Sequence, residues 1–285
     1  MRYKKKNLII DGYSPEKLAK KYSTPLYFYS LKAIRENIIN FKKNFKKINP
    51  LICFAVKANP NKILLKKIGK LGLGADVVSI GELMKALKSG IKANKIVFSG
   101  VGKTSDEISY AIEKKILLIN AESKSEILEI EKIAKSKKKK VSIGIRLNPN
   151  TDAKTLSQIS TGKKENKFGV SEKKFLELVE YVKNSNFLKL KCMSVHIGSQ
   201  ILDHKPYEKM LNVLKKVIHK TNFNFEYIDL GGGMGIDYEK NNKKQNLKKY
   251  ELSIKKFLKK YNSKIIFEPG RIIVANSGYL ISKVI

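Results

Sequence analysis

The chain has 285 residues, 42% of them hydrophobic and 9% aromatic, with a formal net charge of +34. That size and apolar fraction suit a folded protein with a sizeable core and exclude a disordered chain. No apolar run reaches the ~18 residues that a membrane span requires, so no membrane partner is expected.

The opening MRYKKKNLIIDGYS places only Leu8, Ile9 and Ile10 behind its lysines, which is short for the apolar part of a leader. The positive charge invites a nucleic-acid reading, but its distribution argues against one. Lysines are spread along almost every helix-like segment, whereas arginine occurs only at Arg2, Arg35, Arg146 and Arg271. Base-reading surfaces favour arginine for bidentate contacts. A solvated basic surface without a nucleic-acid partner is therefore expected. Cys53 and Cys192 lie in apolar strand-like runs and form no metal-ligand spacing. They suit a reducing compartment, so a cytoplasmic protein without a metal is expected.

In chain order, PLYFYSLKAIRENIINFKKNF from Pro25 reads as a strand running into a helix. After it, short β-rich runs alternate with longer stretches of helical period. The strand candidates are LICFAVK from Leu51, GADVVS from Gly74, KIVFSG from Lys95 and ILLIN from Ile116. They continue with VSIGIRLN from Val141, LKCMSVHIG from Leu190, FEYIDLGG from Phe225 and KIIFEPG from Lys264. One helix candidate falls in each gap, several opened by Ser, Asp or Asn in a capping position. Strict alternation predicts a parallel sheet, and eight units predict a closed (β/α)8 barrel of the α/β class. The helix before Leu51 is available as the eighth of the ring. RIIVANSGYLISKVI, from Arg271, is expected to be a β-type run with a turn near Asn276 to Gly278. It ends within an apolar run, which suggests a missing C-terminal portion.

Barrel enzymes work at the C-terminal ends of their strands, and here those ends carry unusual residues. Lys57 ends the first, Asp76 lies in the second with Glu82 beyond it, and Arg146 ends the fifth. His196 and Ser199 end the sixth, Gly231, Gly232 and Gly233 the seventh, and Glu268 the eighth, followed by Pro269, Gly270 and Arg271. Singly, each has an ordinary reading: a solvated lysine, a structural histidine, a flexible turn, a surface ion pair. Gathered at one rim they gain a joint meaning. A glycine loop after the seventh strand can take a phosphate. A lysine opposite suggests a Schiff base. A carboxylate can keep a pyridine nitrogen protonated, and an imidazole can stack on the ring. Together these point to pyridoxal 5′-phosphate.

On these motifs the chain resembles the barrel-type, fold type III pyridoxal-phosphate decarboxylases, which act on diaminopimelate, ornithine or arginine. FAVKANPN, GADVVSIGEL, VFSGVGKT, ISTGKKENKFG, HIGSQI, LGGGMGIDY and EPGRIIVANSG stand in family order. ISTG…NKFG and HIGSQ are similar to the diaminopimelate members. The resemblance implies decarboxylation of meso-2,6-diaminopimelate to L-lysine and carbon dioxide, the last step of lysine biosynthesis, with Lys57 forming the Schiff base. It implies His196 stacked on the ring, with Ser199 and Gly231–Gly233 on the phosphate. Glu268 would face the ring nitrogen, with Pro269 and Gly270 beside it. Arg271 would serve both phosphate and substrate carboxylate, while Asp76, Glu82 and Arg146 surround the lysine. NKFG, from Asn166 to Gly169, would form part of the site's wall.

The resemblance further implies residues 1–25 and 271–285 as edges of a second β domain around a cofactor-binding barrel at 26–270. A homodimer is implied, whose β domain supplies the general-acid cysteine. Those β-domain motifs do not occur in the sequence, and neither Cys53 nor Cys192 stands in the cysteine's context. An ornithine or arginine type of decarboxylase, or a cofactor-binding remnant without catalysis, stays open as the alternative.

Overall fold

Alternation along the apolar runs decides which side of each strand meets the helices and which lines the interior. The computed structural model describes residues 2–4, 7–153, 155, 159–163, 167–239 and 246–285. Two short strands, β1 (Arg2–Lys4) and β2 (Asn7–Ile9), pair antiparallel. They are followed by α1 (Pro15–Tyr22), β3 (Leu26–Tyr29) and α2 (Leu31–Asn44). The repeating part runs through β4 (Leu51–Ala55), α3 (Lys62–Lys70), β5 (Gly74–Val77), α4 (Ile80–Lys88), β6 (Ile96–Phe98) and α5 (Ser105–Glu113). It continues with β7 (Leu118–Ala121), α6 (Lys124–Ser136), β8 (Val141–Arg146), α7 (Glu172–Lys183), β9 (Leu188–Ser194) and α8 (Lys205–Thr221). It ends with β10 (Tyr227–Asp229), α9 (Leu247–Leu258) and β11 (Lys264–Phe267), before α10 (Arg271–Val274) and β12 (Gly278–Ile281). Strands β4 to β11 form the expected closed parallel barrel, sealed where Ile266 and Phe267 pair with Leu51 and Ile52. Among the described residues no helix is long and apolar enough to cross a membrane.

The helices start where the sequence provides a cap. Ser30, Asn61, Ser79, Thr104, Ser123, Ser171 and Asn246 each accept a backbone N–H of the first turn, satisfying donors that a helix leaves unpaired. Outward-facing strand residues such as Phe54, Val77, Phe98, Ile119, Ile145 and Phe267 join the helices in the main core. Alternate residues turn inward. Cys53, Val97, Leu118, Cys192 and Ile266 make a separate apolar cluster, and nearer the C-terminal rim Asp76, Asn120, Ser194 and Asp229 make a buried polar layer. Gly144 on β8 makes room for that layer. A Cβ there would lie 2.1 Å from Asn120 Oδ1 and 3.0 Å from the Cys192 Cβ, and the β8–β9 ladder shifts register beside it.

α2 takes the eighth place in the helical ring. Phe41 on α2 and Phe45 at its end meet Phe267 of β11 at ring-centroid distances of 5.7 and 4.6 Å. Phe45 stands edge-on to Tyr250 of α9, which packs on Tyr207 of α8 at 4.4 Å. This aromatic group covers the seam where the barrel closes.

The segment after β11 departs from the expected β run. Its first part is the helical turn α10 and a 3-10 turn at Ala275–Ser277, and only Gly278–Ile281 is a strand. Packing decides this over β propensity. Ile273 and Val274 are buried, and the Asn37 Nδ2 of α2 donates to the Ile273 carbonyl at 2.9 Å and to Asn276 Oδ1 at 2.7 Å. β12 then pairs antiparallel with β3, apart from the barrel.

Phe45 is fully buried at the seam, so Phe45→Ala should cost about 3–5 kcal/mol. Urea unfolding of parent and variant measures the difference.

Candidate active site

Each barrel strand ends by handing a side chain to the same rim. β4 passes into a 3-10 turn at Val56–Ala58, which lifts Lys57 out of the ladder. Its Nζ donates to Asp76 Oδ2 of β5 at 2.9 Å, with Asp76 wholly buried and the lysine side chain 54% exposed. Burial disfavours the ammonium, but the negative charges of Asp76 and Glu268 outweigh it. The Lys57 pKa therefore lies above the ordinary lysine value, although Arg146 opposes the shift. Glu82, in the first turn of α4, accepts the Val78 N–H at 2.9 Å, and burial raises its pKa.

Arg146, at the end of β8, donates Nη1 to Glu122 Oε1 at 3.0 Å and lies over the Phe168 ring at 4.9 Å. Glu122 also accepts the N–H of Gly100 at 3.0 Å and of Gly169 at 3.1 Å. One carboxylate thus ties three rim loops together. Phe168 and Gly169 of the NKFG motif sit here, while Asn166 lies outside the described residues.

His196 follows β9, and its Nδ1 accepts the Gly232 N–H at 3.1 Å. Burial and the positive charges of Arg146 and Lys57 hold its pKa well below the usual histidine value. The ring is neutral, and because Nδ1 accepts, Nε2 carries the hydrogen. The glycine loop is shaped around this ring. Gly231 and Gly233 have φ of +63° and +88°. A Cβ would fall 2.5 Å from His196 Nδ1 at Gly231, 2.2 Å from the Glu268 carbonyl at Gly232, and 2.3 Å from the Gly198 carbonyl at Gly233. Two of the loop's amides already donate within the protein, Gly231 to Asp229 Oδ1 at 2.9 Å and Gly232 to His196. The loop thus works as much by its bare backbone shape as by its free donors.

The segment after β11 closes the rim. The Glu268 N–H donates to the Gly231 carbonyl at 2.8 Å, and the Pro269 carbonyl accepts the Ala55 N–H at 3.2 Å. Gly270 packs against the turn bearing Lys57, since a Cβ there would lie 3.0 Å from the Ala58 Cβ. Arg271 donates Nε and Nη2 to Ser199 Oγ, each at 3.4 Å, and Nη1 to the Tyr238 hydroxyl at 2.9 Å. The Glu268 side chain points into the barrel, where burial and the neighbouring charges of Asp229 and Asp76 push its pKa well above the usual carboxylate value.

Glu122, Asn120 and Asp229 lie outside the motifs that mark the other rim residues. Glu122 stands one residue beyond β7, as its acidic counterpart stands beyond β11. Asp229 is a charged residue inside a buried parallel strand, a position where charge is rare unless paired. Both signals were present in LLINAE and YIDLGGG.

An amine at one end of the rim, a bare backbone cradle in the middle and a buried acid opposite suit a small phosphorylated aldehyde with a ring nitrogen. Barrel and rim together define an enzyme of the Schiff-base class. The chain belongs to the pyridoxal-dependent decarboxylases: residues 31–275 match that family's pyridoxal binding domain. It is 46% identical over 274 residues to diaminopimelate decarboxylase of Helicobacter pylori, covering 95% of this chain and 67% of that protein. It is 41% identical to diaminopimelate decarboxylase of Aquifex aeolicus, covering 100% of this chain and 68% of that one. The crystal structure of the H. pylori enzyme complexed with L-lysine superposes with a TM-score of 0.90 at 45% identity, over 93% of this chain and 68% of the other. A lysine/ornithine decarboxylase from Vibrio vulnificus, at 19% identity and a TM-score of 0.78, shares the fold.

Two predictions arise from the charges. In Asp76→Asn the Lys57 ammonium loses a carboxylate partner, so its pKa falls. The pH profile of Lys57 modification by pyridoxal 5′-phosphate and borohydride should move to lower pH than in the parent. For His196, the folded pKa is depressed, so its stabilising share is present above the unfolded value of about 6.5 and is lost as pH falls. Relative to His196→Gln, the parent should lose up to about 1.4 kcal/mol per pH unit on acidification below that value. Urea unfolding at pH 7.5 and 5.5 tests the difference.

Proposed function

We propose that the chain is the cofactor-binding barrel of an enzyme that decarboxylates meso-2,6-diaminopimelate to L-lysine and carbon dioxide with pyridoxal 5′-phosphate. The carrying observation is the Lys57–Asp76 pair at 2.9 Å facing buried Glu268, with the Gly231–Gly233 loop on the same rim. Relatives 46% and 41% identical to the chain over the matched residues bear the diaminopimelate name, whereas the lysine/ornithine enzyme, at 19% identity, resembles it in fold only. This favours the diaminopimelate reading over the ornithine type.

In this reading Lys57 holds the aldehyde, and Asp76 orients its amine and balances its charge. The neutral His196 offers a ring face held by Gly232. Ser199, the glycine loop and Arg271 receive the phosphate, and the Arg271 guanidinium also suits a substrate carboxylate. Glu268 faces the ring nitrogen, with Pro269 and Gly270 fixing its segment against Ala55 and Ala58. Arg146, through Glu122, braces the loops around the lysine. When bound, the cofactor supplies an electron sink for the pair left behind by departing carbon dioxide. The low-dielectric wall around Glu268 and Asp76 strengthens each of these contacts.

The proposed division keeps 26–270 as the barrel, with 1–25 and 271–285 as edges of a second β domain. β12 pairs with β3 at the very start of the 26–270 span, and neither strand joins the closed barrel, which supports a second sheet at that boundary. The working enzyme is read as a cytoplasmic homodimer acting on an amino acid.

Purified chain mixed with pyridoxal 5′-phosphate should develop the visible absorbance of lysine-bound cofactor, and Lys57→Ala should lack it. No band in a chain shown by circular dichroism to be folded would overturn the reading. For the enzyme that contains this barrel, carbon dioxide release from meso-diaminopimelate, with none from ornithine or arginine, is the expected substrate outcome.

A further inference from the structure

Below Glu268 lies a second carboxyl that the proposed function leaves without a role. Asp229 is fully buried on β10, and its side chain hydrogen-bonds that of Glu268. Two carboxyl oxygens in hydrogen-bond contact require a proton between them, because two adjacent buried carboxylates repel strongly. Donor placement decides which residue is ionised. Asp229 accepts from Asn120 Nδ2 at 3.0 Å, Ser194 Oγ at 3.4 Å and the Gly231 N–H at 2.9 Å. Glu268 accepts from Ser99 Oγ at 3.3 Å, and Asn120 Nδ2 also reaches that hydroxyl, at 3.4 Å. The better-supplied Asp229 is the carboxylate, and Glu268 is the acid that donates to it. Burial pushes Asp229 up to about 6, and burial with the Asp229 charge pushes Glu268 well above the usual carboxylate value. The other ionisable groups facing the pair are Asp76 on β5, Lys57 beyond β4, Cys53 on β4, Cys192 on β9 and Tyr250 on α9.

This arrangement meets a requirement of the proposed function, on which the inference rests. A residue that faces a protonated ring nitrogen must itself be ionised, yet Glu268 beside Asp229 and Asp76 resists ionisation. We propose that Asp229 is the positioning residue that resolves this conflict, by taking the Glu268 proton when a ring cation docks above Glu268. The O–H bond of Glu268 breaks and one forms on Asp229, along the hydrogen bond that already joins them. The pair keeps a single negative charge throughout, now on the residue that needs it, and no outside acid or base takes part. Asn120 suits both states, since its amide stays on Ser99 and on Asp229 while the proton crosses.

The test uses the unmodified chain carrying 13C in the carboxyl groups of either all aspartates or all glutamates. Infrared difference spectra of the protonated-carboxyl stretch are taken before and after pyridoxal 5′-phosphate, with visible absorbance recorded on the same sample. Before addition, the band should shift with the glutamate label. Afterwards it should persist at one proton per chain and shift with the aspartate label, and Asp229→Asn should abolish it. A merely structural Asp229 would leave the label response unchanged. Visible absorbance together with a band that still follows glutamate, or that disappears, overturns this inference alone. Absence of the visible absorbance in folded chain overturns the proposed function and this inference with it.

Discussion

Three carboxyl groups, Asp76, Asp229 and Glu268, are buried inside one small barrel, and their mutual repulsion governs what surrounds them. Burial makes a lone carboxylate costly, and each neighbour of like charge adds to the cost. Asp76 is balanced by Lys57, Asp229 by three donors, and Glu268 by keeping its proton. The same logic reaches the rim, where Arg146 is taken up by Glu122 and His196 stays neutral between two cations. The charges around these groups thus set their resting protonation states, with Glu268 held as the acid beside Asp229 and Asp76.

Shape is imposed with equal economy by backbone. The Gly231–Gly233 loop touches the His196 ring, the Gly198 carbonyl and the Glu268 carbonyl so closely that no side chain fits. Its carbonyls are in turn held by the Glu268 N–H, the Tyr207 hydroxyl and the Ile201 N–H. Tyr207 belongs to the aromatic group at the barrel seam, so the packing that closes the fold also fixes the loop. The turn bearing Lys57 is tied to the opposite wall through Pro269 and Gly270. Lysine, loop and acid are thus parts of one rigid rim.

The barrel was readable because its strands are short apolar runs of β-branched residues, each set off by a capped amphipathic helix. Lys57, His196 and Glu268 stand out in the sequence because they end such runs, where an apolar pattern gives way to charge. Asp229 and Asn120 escaped notice for the opposite reason. They lie within the runs, and one polar residue in an apolar strand gives no sign of which others it will meet across the barrel. Closure brings β7, β9 and β10 residues far apart in sequence into one hydrogen-bonded layer, and no local period encodes that. The α10 segment misled for a related reason: Arg271 to Val274 has the composition of a strand, but Asn37, more than two hundred positions earlier, captures its carbonyl and fixes it as a helical turn.

Gly144 bears on how this chain is free to change. A central strand ordinarily favours a β-branched residue, and glycine there weakens it. At this position, however, even a methyl group would strike the Asn120 carbonyl and disturb the donor that serves Asp229. The choice of residue on β8 is therefore governed by charge on β10, across the interior, and not by strand preference. Substitution tolerance along these strands should follow two independent rules, with outward positions answering to volume and inward positions near the rim answering to electrostatics. A redesign that repacks the helices can thus leave the chemistry alone, while one that improves β propensity inside the barrel cannot.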